Sequence, residues 1–351
     1  MFFLFGCEKK EVIPVDSNLL QVKEKLDFVY LSTSERPTEL FHYSFDSKKS
    51  KQLTFSNGKI IDYSVNHRNG DVLYSAYNAE GGSDIWLFPS PFDQAKLLIS
   101  CGINTCFFPQ FHPNGQIMTF QKSASSYDSD LILKNSEIIF FDLSKNVEVE
   151  YLGLSVENGS VPEWSPEGNY LAYFQTDPIG IRIIDVFGNE ILFLNGINQQ
   201  NFFVWGKDSD HFYFLSTDID NDKTVVSIHE ILISKKEFTQ FEISLNESEL
   251  VTGLKFASNQ DRVIIGIRYS SFSPAQKMVI YDLLKKENLM ELSDPTSSVG
   301  NYSWNSSGDQ IIYQKFSFDS EIKTPQIAIW DLDENVSHTI ISDAYMPNFL
   351  P

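Results

Sequence analysis

The chain has 351 residues, with 27 Lys and Arg against 47 Asp and Glu and a net charge of −20. This balance excludes nucleic acid as a partner, because displacing counterions from phosphate needs clustered basic residues, and the densest basic grouping is KEK at Lys23–Lys25. No apolar run reaches the roughly 18 residues needed to cross a membrane as a helix.

The chain begins MFFLFGCEKKE, an apolar run that ends at Cys7 and meets charge at once. It resembles the lipobox end of a bacterial lipoprotein signal peptide, in which a small residue precedes a Cys that is acylated and becomes the mature N-terminus. The resemblance implies lipidation of Cys7, a flexible tether over residues 8–25, and a place in the cell envelope, periplasmic or surface-exposed. Membrane attachment would be through that lipid anchor alone, each buried methylene contributing about 0.8 kcal/mol. Two features depart from the pattern: Phe5 is large where a small residue is common, and the basic region and most of the apolar region are missing, as for a start placed late. An apolar N-terminus with an incidental Cys is the alternative.

From residue 26 onward one unit recurs. LDFVYLS, TELFHYSF and KSKQLTFS read as a second, third and fourth strand that no first strand precedes. Full units follow, opening on YSVNHRNGDVLYSA (Tyr63 to Ala76), FPQFHPNGQIMTF (Phe108 to Phe120), VPEWSPEGNYLAY (Val161 to Tyr173), FVWGKDSDHFYFL (Phe203 to Leu215), GLKFASNQDRVIIGI (Gly253 to Ile267) and NYSWNSSGDQIIYQ (Asn301 to Gln314). The end, MPNFLP, supplies a first strand and nothing more. The apolar residue before each turn, from Val65 to Phe349, recurs at intervals of 41 to 53 residues, the span of a four-stranded propeller blade. A third strand ending in Asp recurs at Asp142, Asp185, Asp282 and Asp331; a short carboxylate there accepts backbone hydrogen bonds as the chain reverses. The expected fold is all-β: a seven-bladed β-propeller of four-stranded antiparallel blades over residues 26–351, closed by the C-terminal strand joining the N-terminal three. Six blades is the runner-up, because the Val65 marker is weak.

Candidate chemistry is sparse. There is no GxSxG, P-loop, HExxH or GxGxxG signature, so no catalytic residue is assigned. The six histidines, His42, His67, His112, His211, His229 and His338, occupy non-equivalent repeat positions and do not point to one metal. Cys101 and Cys106 flank GINT, where a short disulfide or two free thiols are both compatible with the spacing. Asp218, Asp220 and Asp222 alternate as calcium ligands would, but Lys223 stands where the loop Gly belongs and His229 where the bidentate Glu belongs. A solvated hairpin is the favoured reading, calcium the alternative, and no other cofactor is implied.

VPEWSPEGNYLAY resembles the TolB-type, WD-like propeller repeat, whose pattern is Pro, any residue, Trp, Ser, Pro, Asp, Gly and a strand. Pro162, Trp164, Ser165, Pro166 and Gly168 match, with Glu167 for the Asp; Pro109, Pro113 and Gly115 match in a second copy, Trp304 and Gly308 in a third, Pro347 and Pro351 at the end. TolB binds partner proteins in the envelope but carries an N-terminal α/β domain for which residues 8–25 leave no room. Prolyl-oligopeptidase relatives add a hydrolase domain absent here, and the histidine-held metal of oligogalacturonate-lyase relatives is not reproduced. The resemblance implies a non-catalytic, lipid-anchored envelope propeller that binds a protein or glycan. The alternative is a carbohydrate-active, lyase-like enzyme working at the mouth of the central channel. A titratable cluster there would favour the enzyme; Asn, Ser and aromatic groups would favour binding. Asn104, Asn158, Gln199, Gln200 and Ser298, in loops entering first strands, lean toward binding.

Overall fold

A computed structural model describes residues 26–32, 38–56, 59–124, 136–149, 156–197, 202–220, 223–243, 245–246, 248–257, 261–294, 296–319, 322 and 324–351. Among these residues there are 29 strands and no helix, in six sheets. The strands are β1 (Phe28–Ser32), β2 (Glu39–Ser44), β3 (Lys49–Gln52), β4 (Ile60–Val65), β5 (Val72–Tyr77), β6 (Ser83–Phe88) and β7 (Lys96–Ile99). Next come β8 (Thr105–Phe111), β9 (Ile117–Ser123), β10 (Ser136–Asp142), β11 (Val147–Val149), β12 (Val156–Glu157), β13 (Gly159–Trp164), β14 (Tyr170–Thr176), β15 (Ile179–Asp185) and β16 (Glu190–Asn195). The remainder are β17 (Phe203–Trp205), β18 (His211–Asp220), β19 (Lys223–Leu232), β20 (Glu237–Ile243), β21 (Leu250–Phe256), β22 (Arg262–Arg268), β23 (Gln276–Asp282), β24 (Glu287–Leu292), β25 (Ser297–Trp304), β26 (Gln310–Ser317), β27 (Gln326–Asp331), β28 (Val336–Ser342) and β29 (Ala344–Phe349).

Four sheets are four-stranded meanders in chain order, β13 to β16, β17 to β20, β21 to β24 and β25 to β28. A fifth has the order β29-β1-β2-β3, so the last strand supplies the first position of the opening unit, Phe349 pairing with Phe28 and Asn348 with Val29. The sixth sheet has nine strands. It consists of β4 to β7 and β8 to β12, joined by one parallel contact, Ser83 with Thr105. In its second half the outer strand is split between β11 and β12, both of which pair with β10.

The cores lie between successive units. Ile138 and Phe140 of β10 pack on Trp164, Leu171 and Tyr173; Ala172 and Ile183 pack on Phe203 and Phe212; Leu215 and Ile228 pack on Val263 and Ile265. Ile264 and Met278 meet Ile311 and Trp330. Ile312 and Ile329 meet Phe28, Tyr43 and Phe349, which returns the packing to the first unit. From there Val29 and Leu40 meet Val72 and Tyr74, and Leu73 and Ile85 meet Met118 and Phe120. No unit buries its apolar faces alone, as a stacked repeat requires.

The turns follow from composition. Asp142, Asp185, Asp282 and Asp331 each accept two backbone N–H groups from the reversing chain, including Ser144 and Lys145 onto Asp142 at 2.9 and 3.0 Å. Gly168 closes the SPEG turn at φ +77°, and a Cβ there would sit 2.4 Å from the His112 ring of the preceding unit. Only Gly meets both demands.

Candidate functional site

Successive first strands are neighbours, β4 with β8, β8 with β13, β13 with β17, β17 with β21, β21 with β25 and β25 with β29. The Tyr63 hydroxyl of β4 donates to the carbonyl of Met346 in β29. Most of these strands are bulged. In four, the bulged residue has positive φ: Phe108 (51°), Val161 (52°), Asn301 (37°) and Met346 (48°). Three of the four are followed by Pro109, Pro162 and Pro347, whose missing N–H costs nothing where the ladder is already broken. The bulged N–H is caught by the preceding unit: Phe108 donates to Asp62 Oδ2 at 2.7 Å, Val161 to Gln121 Oε1 at 3.2 Å and Met346 to Gln314 Oε1 at 3.3 Å. Asp62 is buried, which pushes its carboxyl pKa up, against the hydrogen bonds from Ser75 and Phe108.

Alternation along a strand sends the Trp or Phe marker into the core with the preceding unit and the residue before it to the opposite face of its sheet. Those positions are Ser64, Gln110, Glu163, Val204, Lys255, Ser303 and Asn348, of which Val204 is buried in the core shared with the following unit and Lys255 is exposed. Ser303 Oγ donates to Asn348 Oδ1 at 2.9 Å, linking two neighbouring first strands. The marker indoles lock the same positions from behind: Trp205 Nε1 donates to the Glu163 carbonyl at 3.0 Å and Trp304 Nε1 to the Lys255 carbonyl at 3.4 Å. Glu163 keeps partial exposure, yet protein surrounds it. Desolvation pushes its pKa up to about 7, and the field of Lys255 opposes that rise. These seven positions hold one carboxylate and one ammonium, the rest being amides, hydroxyls and one Val.

Antiparallel order puts the links between second and third strands, and between fourth and next first strands, at one end of the molecule. Phe55, Tyr77, Ile103, Ile179, Phe272 and Phe318 are exposed there, Phe272 at 97% and Phe55 at 77%. At the hairpin end Phe187 and Leu284 stand in separate turns. A cleft of about 310 Å³ opens beside β14 and β15, where the neighbouring outer strand is split, lined by Tyr173, Gln175, Arg182 and Glu190 among others. Arg182 there pairs with Glu190 at 3.1 Å and lies 5.0 Å over the Phe193 ring.

The residues singled out from sequence are scattered. Cys7, Gln199, Gln200 and Asp222 lie outside the described residues; Asp218 and Asp220 fall at the end of β18, where Asp220 pairs with Lys223 of β19. No grouping of three or more His, Cys, Asp or Glu placed to hold a metal occurs among the described residues. Cys101 and Cys106 form a disulfide that ties the loop after β7 to β8, their Cα atoms 6.3 Å apart. Asn104 and Ser298 serve the fold: the Asn104 carbonyl accepts from Ser83, and Ser298 Oγ accepts from Gln276 and donates to the Pro274 carbonyl. His112 is buried between units, 4.4 Å from the Trp164 ring, with Nε2 3.0 Å from the Gly168 carbonyl. Sequence reasoning missed Glu163 and Lys255; their signal was the shared position before the marker, visible once the copies are stacked.

No family model matches the chain, and no curated protein matches it. Solved structures do. A prolyl endopeptidase superposes with a TM-score of 0.65 at 13% identity, covering 95% of this chain and 50% of that one, so this chain spans about half of that enzyme's length. The β-propeller domain of the Trilobed protease from Pyrococcus furiosus gives 0.58 at 16% identity, over 81% of this chain and 84% of that domain. TolB from Acinetobacter baumannii gives 0.52 at 14% identity, over 92% and 81%. At such identities the likeness speaks for architecture, and the architecture is that of a TolB-like β-propeller.

Proposed function

We propose that this chain is a non-catalytic binding propeller of the bacterial envelope, a single domain over residues 26–351 whose loop-bearing end takes a protein or glycan partner. The blade count we assign is seven, reading the nine-stranded sheet as two blades and the β29–β1 pairing as the clasp of a closed ring. Seven separate cores, each shared by successive units, support that count. The observation that carries the binding role is the exposure of aromatic and aliphatic side chains, one or two from each of several units, at the loop end. Such groups on loops held by a rigid scaffold are where recognition occurs. TolB, similar in fold, is a further reason to favour a protein partner.

The seven positions before the markers support the same reading, since glycoside hydrolysis draws on a pair of carboxylates and Glu163 is the one carboxylate among them. Its pKa near 7 is the one feature that favours a lyase-like enzyme, because a general acid or base works best near the ambient pH. Lipid anchoring through Cys7 and an envelope location remain part of the proposal, and the Cys101–Cys106 disulfide fits an oxidising compartment. Calcium at Asp218, Asp220 and Asp222 is the weakest element; calorimetry on wild type and Asp220→Ala tests it, and silence in both discards it.

The deciding experiment is affinity capture from envelope extract with wild type and with Phe272→Asp/Phe318→Asp. Reproducible recovery of one partner, lost in the double variant, supports the binding role. Turnover of polysaccharide by the purified protein, abolished in Glu163→Gln, overturns it in favour of the enzyme. Metabolic labelling with an alkynyl fatty acid should mark wild type and not Cys7→Ser.

A further inference from the structure

We propose that the cleft between the unit of β8 to β12 and the unit of β13 to β16 binds one neutral sugar ring, with Arg182 and Glu190 as its principal contacts. This site is independent of the partner at the loop end and of the number of units in the ring. Arg182 is the residue out of place. Two positions beyond the partner of each marker, the second strand faces a third-strand residue, which in the other units is Phe41, Trp86, Ile139, His229, Val279 or Ala328, five of the six apolar. In the unit of β13 to β16 it is Arg182, opposite Tyr173. Tyr173 belongs to the core shared with Ile138 and Phe140, so the guanidinium lies on the face where the two units stack.

A charge in such a place is costly unless it is compensated. Arg182 Nη1 pairs with Glu190 Oε2 at 3.1 Å and the group lies over the Phe193 ring, while its buried Nε has no hydrogen-bond partner. Beside it the cleft of about 310 Å³ takes Val156, Glu157 and Asn158 from one unit and Gln175, Arg182 and Glu190 from the other. That volume is at the lower end of the roughly 300–1,000 Å³ of small-molecule sites. The guanidinium donates, the two carboxylates accept, and the two amides do both. Gln175 Nε2 donates to the Asp177 carbonyl at 2.8 Å, which leaves its Oε1 to accept. An anion entering here would meet Glu157 and Glu190, and a cation would meet Arg182, so the cleft favours neither charge. Neighbouring hydroxyls, each able to donate and to accept, match this mixed set, and Val156 and Ile184 offer methyl groups to the C–H face of a sugar ring.

The test is calorimetric titration with glucose, galactose, mannose, N-acetylglucosamine and their β-linked disaccharides, with the matching uronates and amino sugars as charged controls. At least one neutral sugar should bind, and more tightly than its charged counterparts. Arg182→Met and Glu190→Gln should each weaken that binding about tenfold or more, the factor expected for one charge-assisted hydrogen bond. Arg182→Met also restores the apolar character of the other units, so its melting temperature should equal or exceed that of wild type, which separates loss of binding from loss of fold. Binding of no sugar, tighter binding of a uronate or amino sugar, or an affinity untouched by both substitutions overturns the inference. Phe272→Asp/Phe318→Asp should leave the sugar affinity intact; its loss there would move the sugar to the loop end and reject the cleft. Sugar binding that persists when affinity capture recovers no partner would support the cleft and reject the loop-end reading alone.

Discussion

Glu163 shows how one position can carry an energetic signature that its neighbours in sequence conceal. Within VPEW it is the variable residue between Pro162 and Trp164, and nothing local marks it. Its carboxyl is held above the ordinary value of 4.5, up to about 7, so the folded state binds the proton more tightly than the unfolded chain. The sign of the pH effect follows: stability is fully present below the unfolded pKa and is lost as pH rises through the window from 4.5 to about 7. Glu163→Gln should flatten that decline in urea unfolding and leave the protein more stable than wild type at pH 8; a decline as steep as in wild type would contradict it. Burial raises the Asp62 carboxyl as well, but here the side chain is needed as an acceptor. Its buried carboxylate satisfies Ser75 and the bulged N–H of Phe108, so Asp62→Ala should cost about 1–3 kcal/mol through the orphaned donors, and Asp62→Asn, which keeps an acceptor, should cost less. The Asp residues ending third strands were legible because a short acceptor at a reversal has one economical use. The prolines were half legible: Pro166 lies in the turn, but Pro109, Pro162 and Pro347 sit in bulges, a place that only the strand register discloses.

At the scale of strands, periodicity was a reliable guide. The first-strand copies are bounded by apolar residues on one side and Gly, Asn or Asp on the other, so their existence follows from alternation and turn chemistry. What alternation does not encode is an interruption. The split of the outer strand into β11 and β12, and the shortness of β17 at three residues, have no counterpart in the alternation of the sequence. The orphan strands at the two ends were legible as halves of one unit, and β29 does pair with β1. Burial of Phe349 contributes roughly 1.5–3 kcal/mol, and the ladder adds about 0.5–1.5 per hydrogen bond. Deleting Tyr345 to Pro351 should therefore lower the melting temperature by many degrees, broaden the transition and bare the edge of β1 to aggregation. Scanning calorimetry and light scattering check it, and a truncation that melts like wild type would mean the clasp is dispensable.

Over the whole molecule, an open stack and a closed ring differ in how they fail. In an open array each repeat is held by its neighbours, the terminal repeats fray first, and damage stays local when the coupling between repeats is weak. Here the unit holding Ile312 and Ile329 shares its core with Phe28 and Phe349, and in the ring proposed above no unit would be terminal. Loss of one interface leaves both flanking sheets with an exposed face, and the remaining cores lose their support in turn. Ile183→Ala and Ile329→Ala lie in separate units, in cores with no shared residue, and each should cost about 2–5 kcal/mol. In a ring both should shift one common transition, with calorimetric and van't Hoff enthalpies in agreement, and their effects should add because the sites are far apart. In an open stack each would instead split off its own part of the melt. Two resolved transitions in either variant would show that the cores unfold separately, and with that the rigid frame on which the loop-bearing face depends would be lost.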